Sequence, residues 1–432
     1  MTRRPITGSP LIRLRYSMLL VVAAATVSGA LCSDGNSTGL PFYFNTSDPA
    51  NNGATYVGSA ACSACHSNIA SRSESHGHTS ALSTIRGAAP AFPTSALNAG
   101  VPNPPDGFDW NEIAYVIGGH SKGANFVNDD GFILTTGLTG IPTQWNLLLP
   151  ASGTNAGFAD FEPTATEPLP FDHSCFKCHV TGAQSQDPSA PEFQDGRPGI
   201  AGTWAEAGVQ CESCHGPGSN HIPNTAARNL FVDPTGASSC NQCHSRSSGS
   251  IDGGIVAIDR FIAGYQQHSE LLASGGHAEF KCTICHDPHA STVYSPDKGI
   301  RNACTACHTT DNMALHEGKV FTRGDYTENL SCESCHMPYA TKTASSASAA
   351  IVGNEARMGD TRTHIFRIRT EQVGVDGMLD SEGSRVLLDD RNRAAVSVDF
   401  VCLRCHNGNG AFELSVQSAG DIVGQMHRDF SP

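Results

Sequence analysis

The chain has 432 residues, with 41 acidic and 27 basic side chains and a formal net charge of −14. This charge argues against a nucleic-acid binder, because such proteins present basic surfaces to phosphate. A single apolar run, near the N-terminus, argues against a multi-span membrane protein. Hydrophobic residues make up only 39%, Gly and Pro number 44 and 24, and 17 Cys accompany 19 His. The composition predicts a loop-rich chain that needs something besides an apolar core to hold it together.

Residues 1–30 have the pattern of an export signal. Four arginines precede an apolar run of signal-peptide length, Met18–Val27, and the small residues Ser28–Ala30 follow it. The run is too short for an anchoring helix. We therefore predict export by the general route, with cleavage after Ala30.

Residues 31–55 are rich in Ser, Asn, Gly and Thr, which is typical of a flexible leader. A lipid-anchored Cys needs a small residue before it, and Leu31 stands in front of Cys32, so a lipid anchor is not expected. The mature chain is predicted to be periplasmic or extracellular, with no transmembrane segment.

One five-residue motif, Cys-x-x-Cys-His, occurs eight times and uses 16 of the 17 Cys. Chance does not produce eight copies in a chain of this composition. In chain order, motifs 1 to 8 are Cys62-Cys65-His66, Cys175-Cys178-His179, Cys211-Cys214-His215, Cys240-Cys243-His244, Cys282-Cys285-His286, Cys304-Cys307-His308, Cys332-Cys335-His336 and Cys402-Cys405-His406.

This spacing is the attachment site of c-type haem. Two thiols add to the two vinyl groups of one porphyrin, and the adjacent His becomes the proximal ligand of the iron. A zinc site needs a second Cys pair or a His partner at set spacing, and a disulfide framework does not require a His after every second Cys. We predict eight covalent haem c groups, and the export signal agrees with this because covalent attachment takes place after export.

Eleven His lie outside the motifs, so every iron could have a distal His with three to spare. Met ligation would raise the reduction potentials, but few Met remain after the signal. The sequence leaves open which of His76, His78, His120, His173, His268 and His427 are ligands. His277 and His289 flank motif 5 and are expected to serve different haems. The predicted distal set is His78, His173, His221, His268, His277, His289, His316 and His364.

The motifs recur irregularly, so the chain is not a fixed-period repeat protein. Residues 56–174 hold motif 1 and a haem-free, β-containing spacer, 175–281 hold motifs 2–4, and 282–336 hold motifs 5–7. Residues 337–432 form a second spacer and carry motif 8. This second spacer could be a small haem-free subdomain or could wrap neighbouring haems, and the sequence does not decide between them.

A β-hairpin is predicted inside the first spacer. Ala124–Val127 and Phe132–Thr136 are apolar strands around the polar turn Asn128–Gly131. The acidic turn could bind calcium, but a solvated turn is the simpler interpretation.

Several segments resemble multihaem c-type cytochromes, in particular the cytochrome c554-like and octahaem group. They are Tyr56–His66 followed by Ser75–His78, Gly202–His221, Gly276–His289 and Cys332–Pro338. Gly202–His221, with its Cys-Glu-Ser-Cys-His-Gly-Pro-Gly-Ser-Asn-His run, is the most specific match. The long spacers are not explained by the resemblance.

The resemblance implies a fold of mainly α-helices and irregular loops with minor β-hairpins, built around stacked haems. It also implies irons with two His ligands and a role in respiratory electron transfer. Octahaem relatives include enzymes that act on nitrogen or sulfur oxyanions, some with a Lys-ligated iron in a Cys-x-x-Cys-Lys motif. All eight motifs here end in His.

We therefore expect an electron carrier rather than an enzyme. The first alternative is an octahaem oxidoreductase with one open haem, where Lys122, Lys281, Lys298 and Tyr339 could assist without being singled out by the sequence. The second is a subunit of an extracellular cytochrome filament. Expected partners are redox proteins, other multihaem cytochromes or mineral acceptors, because an acidic chain associates with basic surfaces.

Overall fold

The computed structural model describes residues 53–148, 156–225, 240–246, 254–309, 313, 316–323, 326–343, 350–351, 356–408 and 412–423. The predicted export signal, Cys32, nearly all of the predicted leader and His427 lie outside the described residues.

The described α-helices are short, from four to eight residues. Seven of the twelve given below overlap or directly adjoin a Cys-x-x-Cys-His motif. Their bounds are Ser59–Ser63, Ser67–Ser73, Thr136–Thr139, His173–Phe176, Cys211–His215, Gln267–Leu272, Cys282–Cys285, Pro296–Gly299, Cys332–His336, Val375–Met378, Val398–Val401 and Val416–Val423, with 3₁₀ turns at Gln194–Gly196 and Cys304–Ala306.

Strands occur in both spacers and between motifs. In chain order, β1 to β19 are Leu82–Thr84, Ile113–Gly118, Gly123–Asn128, Phe132–Ile133, Gln144–Asn146, Gly157–Ala159, Leu169–Pro170, Val180–Thr181, Gln184–Ser185, Gly202–Thr203, Glu206–Ala207, Ile255–Ile258, Phe261–Ala263, Val320–Arg323, Tyr326–Asn329, Thr341–Lys342, Ala350–Ile351, Arg357–Met358 and Arg385–Val386.

The first spacer builds the largest described sheet. Seven strands join in the order β1-β2-β3-β4-β7, and β5 pairs with both β3 and β6. Strands β3 and β4 pair antiparallel with Val127 opposite Ile133, at the place where the sequence predicts a hairpin. The Asp129 carboxylate in the connecting turn accepts a hydrogen bond from Arg197 at 3.0 Å. This carboxylate is therefore paired with an arginine.

Two apolar clusters cover the faces of this sheet, because its strands carry β-branched and aromatic residues. One includes Tyr115, Phe171 and Phe176, and the other includes Val116 and Phe126, all of them buried. The first spacer therefore has an apolar core made of protein side chains.

The second spacer packs onto the segment between motifs 4 and 5. Strand β12 pairs antiparallel with β13 and β19, and β13 pairs in parallel with β16. Ile255, Ile262, Val386 and Phe400 meet there in a third buried cluster. Residues distant in sequence thus share one core.

Short helices and a substantial sheet are both present in the described residues. The stacking of haems at the centre of the fold stays a prediction. None of the described helices combines the length and the apolar character that crossing a bilayer demands.

Candidate metal centres

Most motifs fold as a single helical turn. In five of them the backbone N–H of the His donates to the carbonyl of the first Cys at 2.9–3.0 Å, which closes one α-turn. The turn places the two thiols on the same side, three residues apart. These five are motifs 1, 4, 5, 6 and 8, with donors His66, His244, His286, His308 and His406.

Motif 2 folds differently. The His179 N–H donates to the carbonyl of Phe176 at 2.8 Å, a shorter turn that does not reach Cys175. Motifs 3 and 7 lie entirely within the helices Cys211–His215 and Cys332–His336.

Six motif histidines face a second imidazole from elsewhere in the chain. The ring centres of every pair lie 5.9–6.3 Å apart. The pairs are His66 with His221, His244 with His78, His215 with His289, His308 with His277, His286 with His364, and His406 with His316.

This separation fits an iron held between two imidazoles. Two metal–nitrogen bonds of about 2 Å and roughly 1 Å from each nitrogen to its ring centre make about 6 Å in a straight line. Rings in direct contact lie closer, as His76 and His78 do at 4.2 Å. The six paired sites therefore fit haem c, with thioether bonds from their motif Cys and axial bonds from the paired His. Motif 2 differs, because Cys175 is disulfide-bonded in this structure and offers no free thiol.

Metal ligation requires a neutral imidazole, and burial favours the neutral form of two of the paired rings, those of His364 and His78. Burial lowers the pKa of His364 to about 3, with a smaller contribution from His286 and His244. Burial also lowers the pKa of His78 well below its ordinary value. Both rings can thus offer a lone pair at neutral pH.

The outer nitrogens of several ligand rings are held by hydrogen bonds, which fix the ring and set its basicity. Backbone carbonyls contact Nδ1 of His179, His336 and His406 at 2.8–3.1 Å, and the Gln267 amide oxygen contacts Nδ1 of His244 at 3.0 Å.

His289 instead bonds a carboxylate. Its Nδ1 lies 3.0 Å from Asp287, which also pairs with Arg72 at 3.2 Å and Arg301 at 3.5 Å.

The other predicted ligands lie as follows. His173 begins the helix His173–Phe176 and meets Phe176 edge-on at 5.4 Å. The His268 backbone N–H donates to the His244 carbonyl at 2.9 Å, and no described motif imidazole faces its ring. His76 contacts His78, and His120 contacts the Ser75 carbonyl at 3.0 Å.

The residues named as possible catalytic assistants are dispersed. Lys122 donates to the Asp360 carbonyl, and Tyr339 lies under the Arg362 guanidinium at 4.4 Å. Lys281 precedes the helix Cys282–Cys285, and Lys298 lies in Pro296–Gly299.

The motifs meet one another in an order that differs from their order in sequence. Electrostatic interactions between Cys thiols place motif 1 near 3, 2 near 4, 3 near 4, 4 near 5, 5 near 6, 6 near 7 and 7 near 8. The joining thiols are Cys62 with Cys211, Cys178 with Cys243, Cys240 with Cys282, Cys304 with Cys332, Cys214 with Cys243, Cys285 with Cys307, and Cys335 with Cys402.

Sequence reasoning missed the residues that lock neighbouring motifs together. Glu212, inside motif 3, accepts the backbone N–H groups of Val57, Gly58 and Gly218 at 2.7–3.1 Å. This ties the entry to motif 1 onto motif 3. The sequence signal that could have indicated this role is a charged residue at a variable position of the motif.

A second missed residue is Glu328 on β15. Its carboxylate accepts two hydrogen bonds from Arg404, inside motif 8, at 2.8 and 3.1 Å. It also accepts one from the Ser334 hydroxyl, inside motif 7, at 2.6 Å. Nothing in the sequence around Glu328 indicated this.

Comparison with known proteins adds a family context. A family model described as "Cytochrome c554 and c-prime" matches residues 159–216, which contain motifs 2 and 3. Dissimilatory sulfite reductase MccA of Wolinella succinogenes is 27% identical over 173 residues, 31% of this chain and 22% of that protein. C-type polyheme cytochrome OmcB of Geobacter sulfurreducens is 29% identical over 171 residues, 38% of this chain and 20% of that protein.

The matched region thus spans only about a fifth of each relative's own length. Among solved structures, the octaheme sulfite reductase MccA of Wolinella succinogenes superimposes with a TM-score of 0.53 at 15% identity. The superposition covers 83% of this chain and 68% of that one, and at this identity it shows the fold alone.

Proposed function

We propose that this chain, a multihaem c-type cytochrome, carries electrons through eight haem c groups with two axial His each, in respiratory electron transfer outside the cytoplasm. The observation that carries the proposal is the set of imidazole pairs at 5.9–6.3 Å. Each bound haem would supply an iron that cycles between the ferric and ferrous states.

The protein's own residues hold and insulate those irons. Two imidazoles per iron leave no open position, so a substrate cannot bind there, and the same ligands serve both oxidation states. Burial and the hydrogen bonds at Nδ1 keep the rings in place, so little rearrangement accompanies a change of charge.

The contacts between motifs support a continuous route. Motifs 1, 3, 4, 5, 6, 7 and 8 follow one another through neighbouring Cys, with motif 2 beside motif 4. We propose motifs 1 and 8 as the two ends where redox partners or a mineral surface exchange electrons with the chain.

The test uses the purified, exported protein. Intact mass and haem quantification should give eight covalent haems, and electron paramagnetic resonance of the oxidised protein should show low-spin ferric signals. Stopped-flow mixing of the dithionite-reduced protein with a soluble iron(III) chelate should show reoxidation of all haems. A protein without covalent haem, or a spectrum dominated by high-spin iron, would contradict the proposal.

A second candidate function is carried by motif 2. The His179 ring lies 6.4 Å from Phe171, its Nδ1 contacts the Ala81 carbonyl, and in the described part of the chain no second imidazole faces it. An iron bound there could take an oxyanion of nitrogen or sulfur on its other side. The fold shared with the octaheme sulfite reductase agrees with this candidate.

Carbon monoxide titration of the reduced protein distinguishes the two functions. A protein whose irons are all six-coordinate binds no carbon monoxide, whereas an open motif-2 haem binds one equivalent per chain. Turnover of sulfite, nitrite, hydroxylamine or tetrathionate with a reduced or oxidised dye would then establish the enzyme. Failure to bind carbon monoxide would dismiss it.

A further inference from the structure

Motifs 7 and 8 share one buried charge cluster. Glu328 reaches it from the hairpin of β14 and β15, and its side chain is only 6% exposed. Arg404 projects from between the two Cys of motif 8 and is 1% exposed. The Arg404–Glu328 ion pair is therefore almost fully removed from water.

Arg404 also bonds motif 7 directly. Its guanidinium donates to the Ser334 carbonyl at 3.0 Å, and the Ser334 hydroxyl donates to Glu328 at 2.6 Å. Arg404 lies between the two Cys of motif 8, and Ser334 lies between the two Cys of motif 7. One carboxylate therefore holds the interiors of two haem-binding turns.

A second arginine, Arg362, forms hydrogen bonds with the motif-7 turn. Arg362 donates to Glu328 at 3.0 Å and to the carbonyls of Glu333 and Met337 at 2.8 and 2.9 Å. The Tyr326 hydroxyl adds a hydrogen bond to Glu328 at 2.7 Å. One negative charge thus faces two positive charges, which leaves the cluster with a net positive charge next to both motifs.

We propose that Glu328 is the residue that sets the reduction potentials of the motif-7 and motif-8 haems, by compensating Arg404 and Arg362 beside them. The inference rests on the proposed function, because it assumes haem at both motifs. A buried charge acts strongly on a neighbouring iron, since little solvent screens it. Positive charge favours the ferrous state over the more positive ferric state and so raises the potential.

The cluster lies within electrostatic range of the attachment sites. Arg404 and Glu328 both act on the thiols of Cys335 in motif 7 and Cys405 in motif 8. Arg323, on β14, adds further positive charge near Arg404. Among the described contacts, Glu328 is the carboxylate that bonds both Arg404 and Arg362, so its removal changes the local charge most.

The experiment measures reduction potentials by spectroelectrochemical titration of the haem-loaded full chain. Glu328→Gln keeps the shape of the side chain and removes its charge, so two of the eight one-electron steps should move to higher potential. Arg404→Gln removes the opposite charge, so the same two steps should move to lower potential. Glu382→Gln is the control, because Glu382 is exposed and accepts a hydrogen bond from the neighbouring Ser381 hydroxyl. It should leave all eight steps in place.

The opposite signs separate a potential-setting role from a structural one. Damage to the fold admits water to the haems and lowers the potential in both variants. Parallel downward shifts, or titrations that superimpose on the native protein, would overturn the inference. If Glu328→Gln does not accumulate, Arg362→Gln, whose side chain is 26% exposed, must lower the same two steps or the inference is wrong.

Failure of the proposed function would look different. A chain without eight haems, or with high-spin iron throughout, fails before any potential is compared. Eight low-spin haems with unmoved potentials refute the role of Glu328 alone.

Discussion

At the scale of single residues, the second axial position is where a haem site is most easily altered without losing the haem. In the proposed haem sites, the two thioether bonds and the proximal His would come from one motif, whereas the opposite imidazole would come from another part of the chain. His221 faces His66 from beyond motif 3, and His289 faces His215 from beyond motif 5. A substitution at the distant His should therefore change coordination and leave attachment intact.

Replacement His221→Ala should convert one of eight haems to a high-spin form that binds carbon monoxide. The motif-1 thiols are untouched, so the mass should still correspond to eight haems. His268→Gln is the comparison, because no described motif imidazole faces His268, and its spectrum should match the native one. A high-spin signal in His268→Gln would show that this residue is a ligand after all.

Asp287 is expected to give the motif-3 haem a lower potential than a neutral partner would. Its carboxylate bonds Nδ1 of His289 and increases the basicity of that ligand, which stabilises the ferric state. Asp287→Asn keeps an acceptor and removes the charge, which also leaves Arg72 and Arg301 uncompensated. One step of the redox titration should shift upward.

The matched control for that variant is Asp380→Asn. Asp380 is half-buried and accepts hydrogen bonds from Ser384 rather than contacting a candidate ligand His. It should shift no step, and an equal shift in both variants would mean that overall charge, not the bond to His289, is responsible.

At the scale of secondary-structure elements, the motifs are single turns that cannot be stable alone, because an isolated helical turn fixes several residues for one hydrogen bond. They are held by longer elements and by polar side chains from the variable positions of the motifs themselves. Glu212 ties motif 3 to the residues before motif 1, and Arg404 ties motif 8 to motif 7. The hairpin of β14 and β15 contributes through Glu328.

The hairpin's carboxylate should make stability depend on pH. Burial alone would raise the pKa of Glu328, but the hydrogen bonds and charge of Arg404 outweigh it and hold the pKa far below its ordinary value of 4.5. Because the pKa of Glu328 is lower in the folded than in the unfolded protein, the ionised carboxylate adds to the free energy of unfolding above pH 4.5. This contribution is lost as the pH falls toward the pKa of Glu328 in the folded state.

Glu328→Gln should therefore be less stable than the native protein at pH 7, by about 3–5 kcal/mol for breaking a buried pair. The difference should shrink as the pH is lowered below 4.5, measured as the difference in free energy of unfolding between the two holoproteins. Acid effects on haem ligation are common to both proteins and cancel in that difference. A gap that stays constant down to pH 3 would contradict the assignment of the effect to Glu328.

At the scale of the whole molecule, we propose that the net negative charge favours basic redox partners. The formal charge of the full sequence is −14, and the predicted export signal contains four of the arginines. Long-range attraction to a basic partner should speed association, and salt should screen it within about 10 Å at 0.1 M ionic strength.

The rate of electron exchange with a basic redox protein should accordingly fall as salt rises from 10 mM to 300 mM, when followed by stopped-flow absorbance. Exchange with an uncharged mediator should change little over the same range. A rate to the basic partner that is independent of salt would show that docking does not use the acidic surface.

The amino-acid sequence by itself determined the covalent chemistry, because two thiols and the next imidazole must lie within one turn to hold one haem. The attachment motifs, such as Cys62-Cys65-His66, could therefore be recognised without the fold, and the resemblance to multihaem c-type cytochromes agrees with the matching family model and relatives. The hairpin of the first spacer could be predicted for the same reason, since a turn and its flanking strands are adjacent in sequence.

Only the tertiary structure decided which imidazole faces which motif. The His78–His244 pair and the Glu328–Arg404 contact join residues far apart in sequence, and no local pattern records such a distance. The tertiary structure also decided that the second spacer packs onto Ile255–Ala263, because pairing between remote strands depends on the shape of the whole chain. The order in which the motifs meet follows from the same long-range packing.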